Sequence, residues 1–232
     1  MINFMSEQML SIIVTAAGKG TRFGSTRPKQ FEKINKIPIY IYPLLSIKKI
    51  KNVSEIFLTI NKSIKEESIY KELQNFGLDN VKIVYGSNSR SKSVYRAFME
   101  IKNKRNLVVI HDSVRPNFNF SFLSNITKEI KSSHGVILAS KITDTIKENR
   151  KGTILQTIDR KSLWKAQTPQ IFKYSALEKC YSNKIDFQSY TDESQLLEKN
   201  NFKIKIYENL EYNNKITTKK DLSIYKKLLK DV

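Results

Sequence analysis

Between Ser11 and Gln30 the chain reads SIIVTAAGKGTRFGSTRPKQ. The β-branched run Ile12, Ile13, Val14 predicts a strand, and it stops abruptly in Ala16, Ala17, Gly18 and Gly20. Residues with little or no side chain let backbone N–H groups approach an anion closely, and Lys19, Arg22 and Lys29 surround them with positive charge. The stretch therefore predicts a strand opening into a loop that can hold a polyphosphate. It has neither the GxxxxGK(S/T) spacing of a Walker loop nor the GxGxxG of a dinucleotide loop. On its own, the glycine pair would also suit an ordinary strand-to-helix turn with solvated basic residues.

Downstream, strand and helix signals alternate. Val53 to Asn61 reads as a strand and Ser63 to Phe76 as an amphipathic helix ended by Gly77, with Val81 to Tyr85 a further strand. Gly86 to Phe98 is a second small-residue loop entering a helix, where Ser91 or Ser93 could serve as the cap. Asn106 to Ile110 is apolar enough for a strand buried on both faces. Phe120 to Lys131 reads as a helix and Gly135 to Ser140 as another strand. This rhythm predicts an α/β fold: a Rossmann-like, doubly wound, mostly parallel sheet flanked by helices. The more polar segment Ile142 to Trp164 predicts two strands around a charged turn, a hairpin arm that projects from the sheet. In TPQ, Thr168 followed by Pro169 suggests a helix start, threonine as N-cap and proline at the first helical position. Tyr174 to Cys180 and the stretch after Thr191 or Asp192 read as helices, Lys203 to Glu208 as the last strand, and Thr218 to Lys230 as a closing helix.

At 232 residues the expectation is one domain spanning 1–232, with the arm at about 142–162. No apolar run reaches membrane-spanning length and the N-terminus lacks the pattern of a signal peptide, so a cytoplasmic location is expected. The single cysteine, Cys180, excludes an internal disulfide, and two histidines argue against a multi-histidine metal centre. The formal charge of +19 raises the alternative of a non-catalytic nucleic-acid-binding protein. The lysines are spread along the whole chain without an arginine-rich tract or recognition motif, so nucleic acid is not an expected partner.

Chemistry-bearing residues cluster after the predicted strands. Asp112, in HDSVRP, is placed to meet Mg²⁺ or a substrate hydroxyl, and Arg115 to pair with it or with a phosphate. Asp192 and Glu193 suit capping or bracing better than proton transfer.

The ordered set A-A-G-x-G-x-R-x-G with P-K-Q-F (Ala16 to Phe31), G-x-x-x-R-x-x-S-V (Gly86 to Val94), HD-x-x-RP, DR-x-x-LW-x-x-QTPQ-x-F, TDE-x-x-LLE and NNKIT resembles the cytidylyltransferases that act on methylerythritol 4-phosphate or ribitol 5-phosphate, over most of the chain. The resemblance implies transfer of CMP from CTP to a polyol phosphate with release of pyrophosphate. The acceptor favoured is 2-C-methyl-D-erythritol 4-phosphate, for isoprenoid precursors, and the alternative is ribitol 5-phosphate or another polyol phosphate of wall or capsule synthesis. It implies CTP contacts from Ala16, Ala17, Gly18, Lys19, Gly20, Gly86, Arg90, Ser93 and Asp112, and catalytic roles for Arg22, Lys29 and Lys215. Acceptor contacts would come from Asp112, Arg115, Thr145, Arg160 and Thr168. Mg²⁺ or another divalent cation, met by Asp112, would be the cofactor, and a homodimer would form by arm exchange. Ser87 and Asn88 depart from the family pattern, which has a second glycine and commonly an acidic residue there.

Overall fold

The structure, a computed structural model, describes residues 8–20, 23–24, 28–117, 123, 126, 129–183 and 185–229. Strand β1 (Leu10–Ala16) lies in the middle of a seven-stranded sheet, between β4 (Val53–Ile60) and β6 (Leu107–Asp112), and is parallel to both. Beyond β4 lies β5 (Val81–Tyr85), also parallel. Beyond β6 come β10 (Trp164–Lys173), β7 (Gly135–Lys141) and β11 (Ile204–Glu208). β10 runs antiparallel to both of its neighbours, whereas β11 is parallel to β7. The predicted α/β architecture is therefore present, with one reversed strand in its interior.

The two-residue period of a strand explains the layers. Ile12 and Val14 point into one apolar cluster, with Leu44, Ile47, Leu58 and Leu73, and Ile13 points into the other, with Phe57, Phe98, Val108, Phe172 and Leu177. Helices α1 (Ile41–Lys48) and α2 (Glu66–Gln74) cover the first face. Helices α3 (Arg90–Met99), α4 (Tyr174–Tyr181) and α5 (Glu193–Lys199) cover the second. A strand such as β6, all six of whose residues are buried, must be apolar throughout its middle, as Leu107–Ile110 is. Each fully buried Leu or Ile contributes roughly 1.5–3 kcal/mol relative to exposure.

The last helix, α6 (Lys219–Leu228), packs Leu222 and Tyr225 into a third cluster with Ile34, Ile39, Tyr42 and Ile216, beside the short β2 (Lys33–Ile34) and β3 (Ile37–Pro38) hairpin. Its first turn is closed by a capping box: the Thr218 hydroxyl accepts from the Asp221 N–H while the Asp221 carboxylate takes the Thr218 N–H. Gly77, at φ +61°, follows α2 as expected.

Two details differ from the sequence reading. The cap of α3 is Ser89, which accepts from the Lys92 N–H; Ser93 lies inside the helix, accepting from the Ser87 N–H at 2.9 Å and donating to the Ser89 carbonyl at 2.8 Å. Thr168 and Pro169 start no helix. They lie within β10, where the pairing with β7 shifts register between Ala166 and Gln170, an interruption that accommodates a proline without a ladder N–H. The helix expected over 120–131 falls largely outside the described residues; those described agree with it, Leu123, Ile126 and Glu129 being helical, Leu123 and Ile126 buried, and Ile130–Ser132 a 3-10 turn.

The polar segment after β7 forms a separate two-stranded sheet, β8 (Ile146–Arg150) with β9 (Thr153–Ile158), which among the described residues joins no strand of the main sheet. Its second strand, β9, exposes Ile154 and Leu155.

Candidate active site

A cavity of about 420 Å³ opens where β1, β4, β5 and β6 end. Its wall is made by the loop from Thr15 to Gly20, by Thr59 and Asn61 after β4, by Ser87 to Arg90 and Ser93, by Asp112 to Val114, and by Lys29, Gln30 and Lys215. This is the carboxyl edge of the parallel strands, where open α/β sheets bind ligands.

The glycine-rich loop is held from outside. The buried Gln30 amide donates to the Ala16 carbonyl at 2.6 Å and to the Gly18 carbonyl at 2.8 Å, and Asn61 donates to the Ala17 carbonyl at 3.3 Å. The Ala16 N–H in turn donates to Thr59 Oγ1. Three successive carbonyls are thus engaged, which offsets their partial negative charge beside an anion site. Gly86 is required by close approach: a Cβ there would lie 2.4 Å from the Ala17 Cβ and 2.8 Å from Ser93 Oγ. The two small-residue loops are in contact at this point.

Asp112 is the one carboxylate among the described residues lining the cavity. Arg90 Nε reaches its Oδ1 at 3.1 Å, Lys215 Nζ its Oδ2 at 2.9 Å, and Arg115 Nε lies 3.6 Å from Oδ2. Burial opposes its charge, but Arg90, Lys215 and Arg115 overcome that and hold the carboxyl well below the usual carboxylate range. On its other side Arg90 meets the fully buried Glu193 at 2.6 Å. Burial works against the Arg90 guanidinium, yet the two carboxylates outweigh it and raise its proton affinity. Glu193 is therefore a brace for Arg90, and Asp192 caps α5 through the Gln195 N–H.

Behind Asp112, Thr168 is 4% exposed and stands outside the cavity wall. Its hydroxyl accepts from the Asp112 N–H at 3.0 Å. Burial lowers the pKa of His111 to about 3, so the ring is neutral. His111 Nε2 faces the Arg115 carbonyl at 3.2 Å, which can only accept, so this nitrogen carries the hydrogen. Nδ1 is then the acceptor, and the Thr168 hydroxyl donates to it at 3.1 Å.

Of the residues singled out from sequence, Ala16, Ala17, Gly18, Lys19, Gly20, Lys29, Arg90, Ser93, Asp112 and Lys215 come together on the cavity. Gly86 packs beneath it, and Arg115 and Thr168 support Asp112 from behind. Thr145 and Arg160 lie at the base of the arm, away from the cavity, where Arg160 donates to the Thr143 carbonyl. Arg22 lies outside the described residues. Sequence reasoning did not assign roles to Thr15, Gln30, Thr59 and Asn61; Gln30 was legible only as part of the P-K-Q-F string.

Among the described residues no group of three His, Cys, Asp or Glu side chains converges. The donor set suits a divalent cation that brings most of its oxygen ligands with it on phosphates and asks for one protein carboxylate.

A phosphate-sized loop, a cation-rich wall and a single carboxylate at the switch edge of a doubly wound sheet are the equipment of a nucleotidyltransferase. Comparison with known proteins is specific. The profile of the 2-C-methyl-D-erythritol 4-phosphate cytidylyltransferase (IspD) family matches residues 10–231. The chain is 32% identical over 224 residues to the 2-C-methyl-D-erythritol 4-phosphate cytidylyltransferase of Clostridioides difficile, covering 95% of this chain and 94% of that one. It is 32% identical over 221 residues to a bifunctional enzyme IspD/IspF of Desulfotalea psychrophila, of which it spans 57%. Among solved structures, the 4-diphosphocytidyl-2C-methyl-D-erythritol synthase of Anaerococcus prevotii superposes with a TM-score of 0.77 at 28% identity, covering 96% of this chain and 99% of that one. The chain belongs to the 2-C-methyl-D-erythritol 4-phosphate cytidylyltransferase family.

Proposed function

We propose that this enzyme transfers CMP from CTP to 2-C-methyl-D-erythritol 4-phosphate, releasing pyrophosphate, in isoprenoid precursor synthesis. The observation that carries the reading is the cavity itself: Lys19, Lys29, Arg90 and Lys215 line it against one carboxylate, a balance suited to a polyanion. The acceptor's phosphate is largely dianionic near neutral pH, its second pKa being about 6, so its oxygen attacks the α-phosphorus without a general base. The protein's task is then to align two anions and to stabilise the charge that builds on the α-phosphate and the departing pyrophosphate.

In this reading the Ala16–Gly20 loop, Lys19, Lys29 and Arg22 hold the triphosphate, Gly86, Arg90 and Ser93 form the nucleoside side, and Asp112 orients the ribose or the polyol. Lys215 supports the phosphates, Arg115 and Thr168 hold Asp112 in place, and Arg115 adds positive charge behind the acceptor. Mg²⁺ or a similar divalent cation, when bound on the phosphates and Asp112, would neutralise part of the triphosphate charge. The chain forms one catalytic domain and acts in the cytoplasm. Its arm, at about 142–162, pairs with a second copy, so that Thr145 and Arg160 serve the other subunit's acceptor site. The free-standing hairpin with exposed Ile154 and Leu155 supports this, because a two-stranded ribbon is marginally stable until it packs on something.

The test is pyrophosphate release from CTP with a divalent cation, comparing 2-C-methyl-D-erythritol 4-phosphate, ribitol 5-phosphate and no acceptor. Release with the first alone is expected. Preference for ribitol 5-phosphate would move the enzyme to polyol-phosphate activation, and silence with both would overturn the proposal.

A further inference from the structure

Lys215 sits in the loop between β11 and α6, outside any strand or helix, yet its ammonium must be delivered to the cavity wall to meet Asp112. A lysine on an irregular segment is well placed only if the segment's backbone is fixed by something else. A ring of buried polar groups does this.

Starting at the Asp112 N–H, the Thr168 hydroxyl accepts and then donates to His111 Nδ1, and His111 Nε2–H donates to the Arg115 carbonyl. Arg115 Nη1 donates to the Asn213 carbonyl at 2.6 Å, and Asn213 Nδ2 returns to the Thr168 carbonyl at 2.9 Å. Asn213 Nδ2 also lies 3.3 Å from Gln167 Oε1. His111, Thr168, Arg115 and Asn213 are all at most 6% exposed. On the other side of the lysine, the Ile216 N–H donates to the Val114 carbonyl at 2.9 Å. The residues that bracket Lys215 are therefore tied to the same turn, 112–115, that carries its carboxylate partner. Asn213 is the member that belongs to the lysine's own segment and does not reach the cavity.

We propose that Asn213 is a positioning residue for Lys215, locking the 213–216 segment to the Asp112 turn through Thr168 and Arg115. This rests on Lys215 being part of the reaction site. A buried amide with two donor contacts is replaceable in an ordinary core at modest cost, but here its loss removes both side-chain ties of residue 213, leaves the Arg115 bond to its backbone carbonyl, and so loosens the lysine's backbone on one side while Lys215 itself stays intact.

The experiment is a double-mutant cycle on kcat/KM, with thermal denaturation of every variant as a control. Asn213→Ala is expected to lower kcat/KM by about 10- to 100-fold in the wild-type background and by less than about twofold in a Lys215→Met background, because residues acting through one another are non-additive. Losses of equal size in both backgrounds would overturn the proposal, as would no loss in the first. If the alanine variant does not fold, Asn213→Ser takes its place in the cycle; failure of both to fold would assign Asn213 to the core and overturn the positioning role. Lys215→Met alone separates the two readings: if it turns over normally, the assignment of Lys215 to the site fails, and the proposal falls with it for that reason and not through the ring.

Discussion

Gly86→Ala tests the contact between the two small-residue loops. The added methyl would be 2.4 Å from the Ala17 Cβ, whereas carbon atoms pack at about 3.5–4.0 Å, so more than 1 Å of separation must open. The other near neighbour, Ser93 Oγ at 2.8 Å, is itself engaged with the Ser87 N–H and the Ser89 carbonyl, so it cannot yield without moving the second loop. Overpacking of this kind costs about 1–3 kcal/mol. For a chain of this size that corresponds to a fall in Tm of about 2–12 °C. The effect on turnover should be larger than the effect on stability, because a displacement of about 1 Å in a positioning element can cost on the order of a hundredfold. The assay is steady-state pyrophosphate release with CTP varied, alongside thermal denaturation. Gly135→Ala is the matched control: its methyl would meet Phe172 at 2.4 Å, at the start of β7 and far from the cavity. The control should lose a comparable amount of stability and keep its kcat/KM. A Gly86→Ala enzyme within threefold of wild type, or a Gly135→Ala enzyme equally impaired, would refute the reasoning.

Lys29→Ala should reduce kcat by about 10²–10³, since it removes one charge from the cavity wall; near-normal turnover would remove that lysine from the reaction. Asp221→Asn should cost about 1 kcal/mol near neutral pH by weakening the α6 capping box. Hydrogen bonds from Thr217 and Thr218 outweigh burial and lower the Asp221 carboxyl to about 2, from an ordinary 3.8. Its contribution is thus fully present above pH 4 and lost as pH falls from about 4 to 2, and denaturant melts of the two proteins should converge over that window. Cys180 is completely buried and burial pushes its thiol up to about 11, so a disulfide reagent at pH 8 should label it only at the rate at which α4 opens, and labelling within seconds in native buffer would contradict the packing.

Much of this architecture is written locally. β1, β4, β6 and β7 are β-branched or apolar runs that end in small residues or polar turns, and the side chain at each position follows from a period of two. The glycine loop and HDSVRP were equally legible, because both stand directly after such a run. β10 was misread in part for a definite reason: threonine followed by proline is a good helix start, and only the neighbours β6 and β7, about 30–60 residues away in sequence, make the same string a strand. Ser89, Ser91 and Ser93 all offer a hydroxyl, and which one caps depends on the backbone at the junction, where Ser89 alone is extended and precedes the helix. Gln30 and Asn61 act on carbonyls 12 to 44 residues away, so nothing in their own surroundings announces it. Thr145 and Arg160 came from the family resemblance, and a single chain does not bring them to the cavity.

The reversed strand has a consequence for synthesis. By residue 112 the chain has supplied β5, β4, β1 and β6, four adjacent strands that can pair as they emerge. β7 follows but has no place beside them, because both of its neighbours, β10 and β11, are made later. Until residue 173 has left the ribosome, Val108, Val109 and Ile110 present one open ladder edge on a strand meant for full burial. Such an edge is a template for pairing with other chains. β10 is therefore the piece that covers the open edge of β6 and lets β7 join the sheet: fragments ending before Trp164 should go to inclusion bodies, and the interval between β6 and β10 is when a nascent chain of this enzyme has most need of a chaperone.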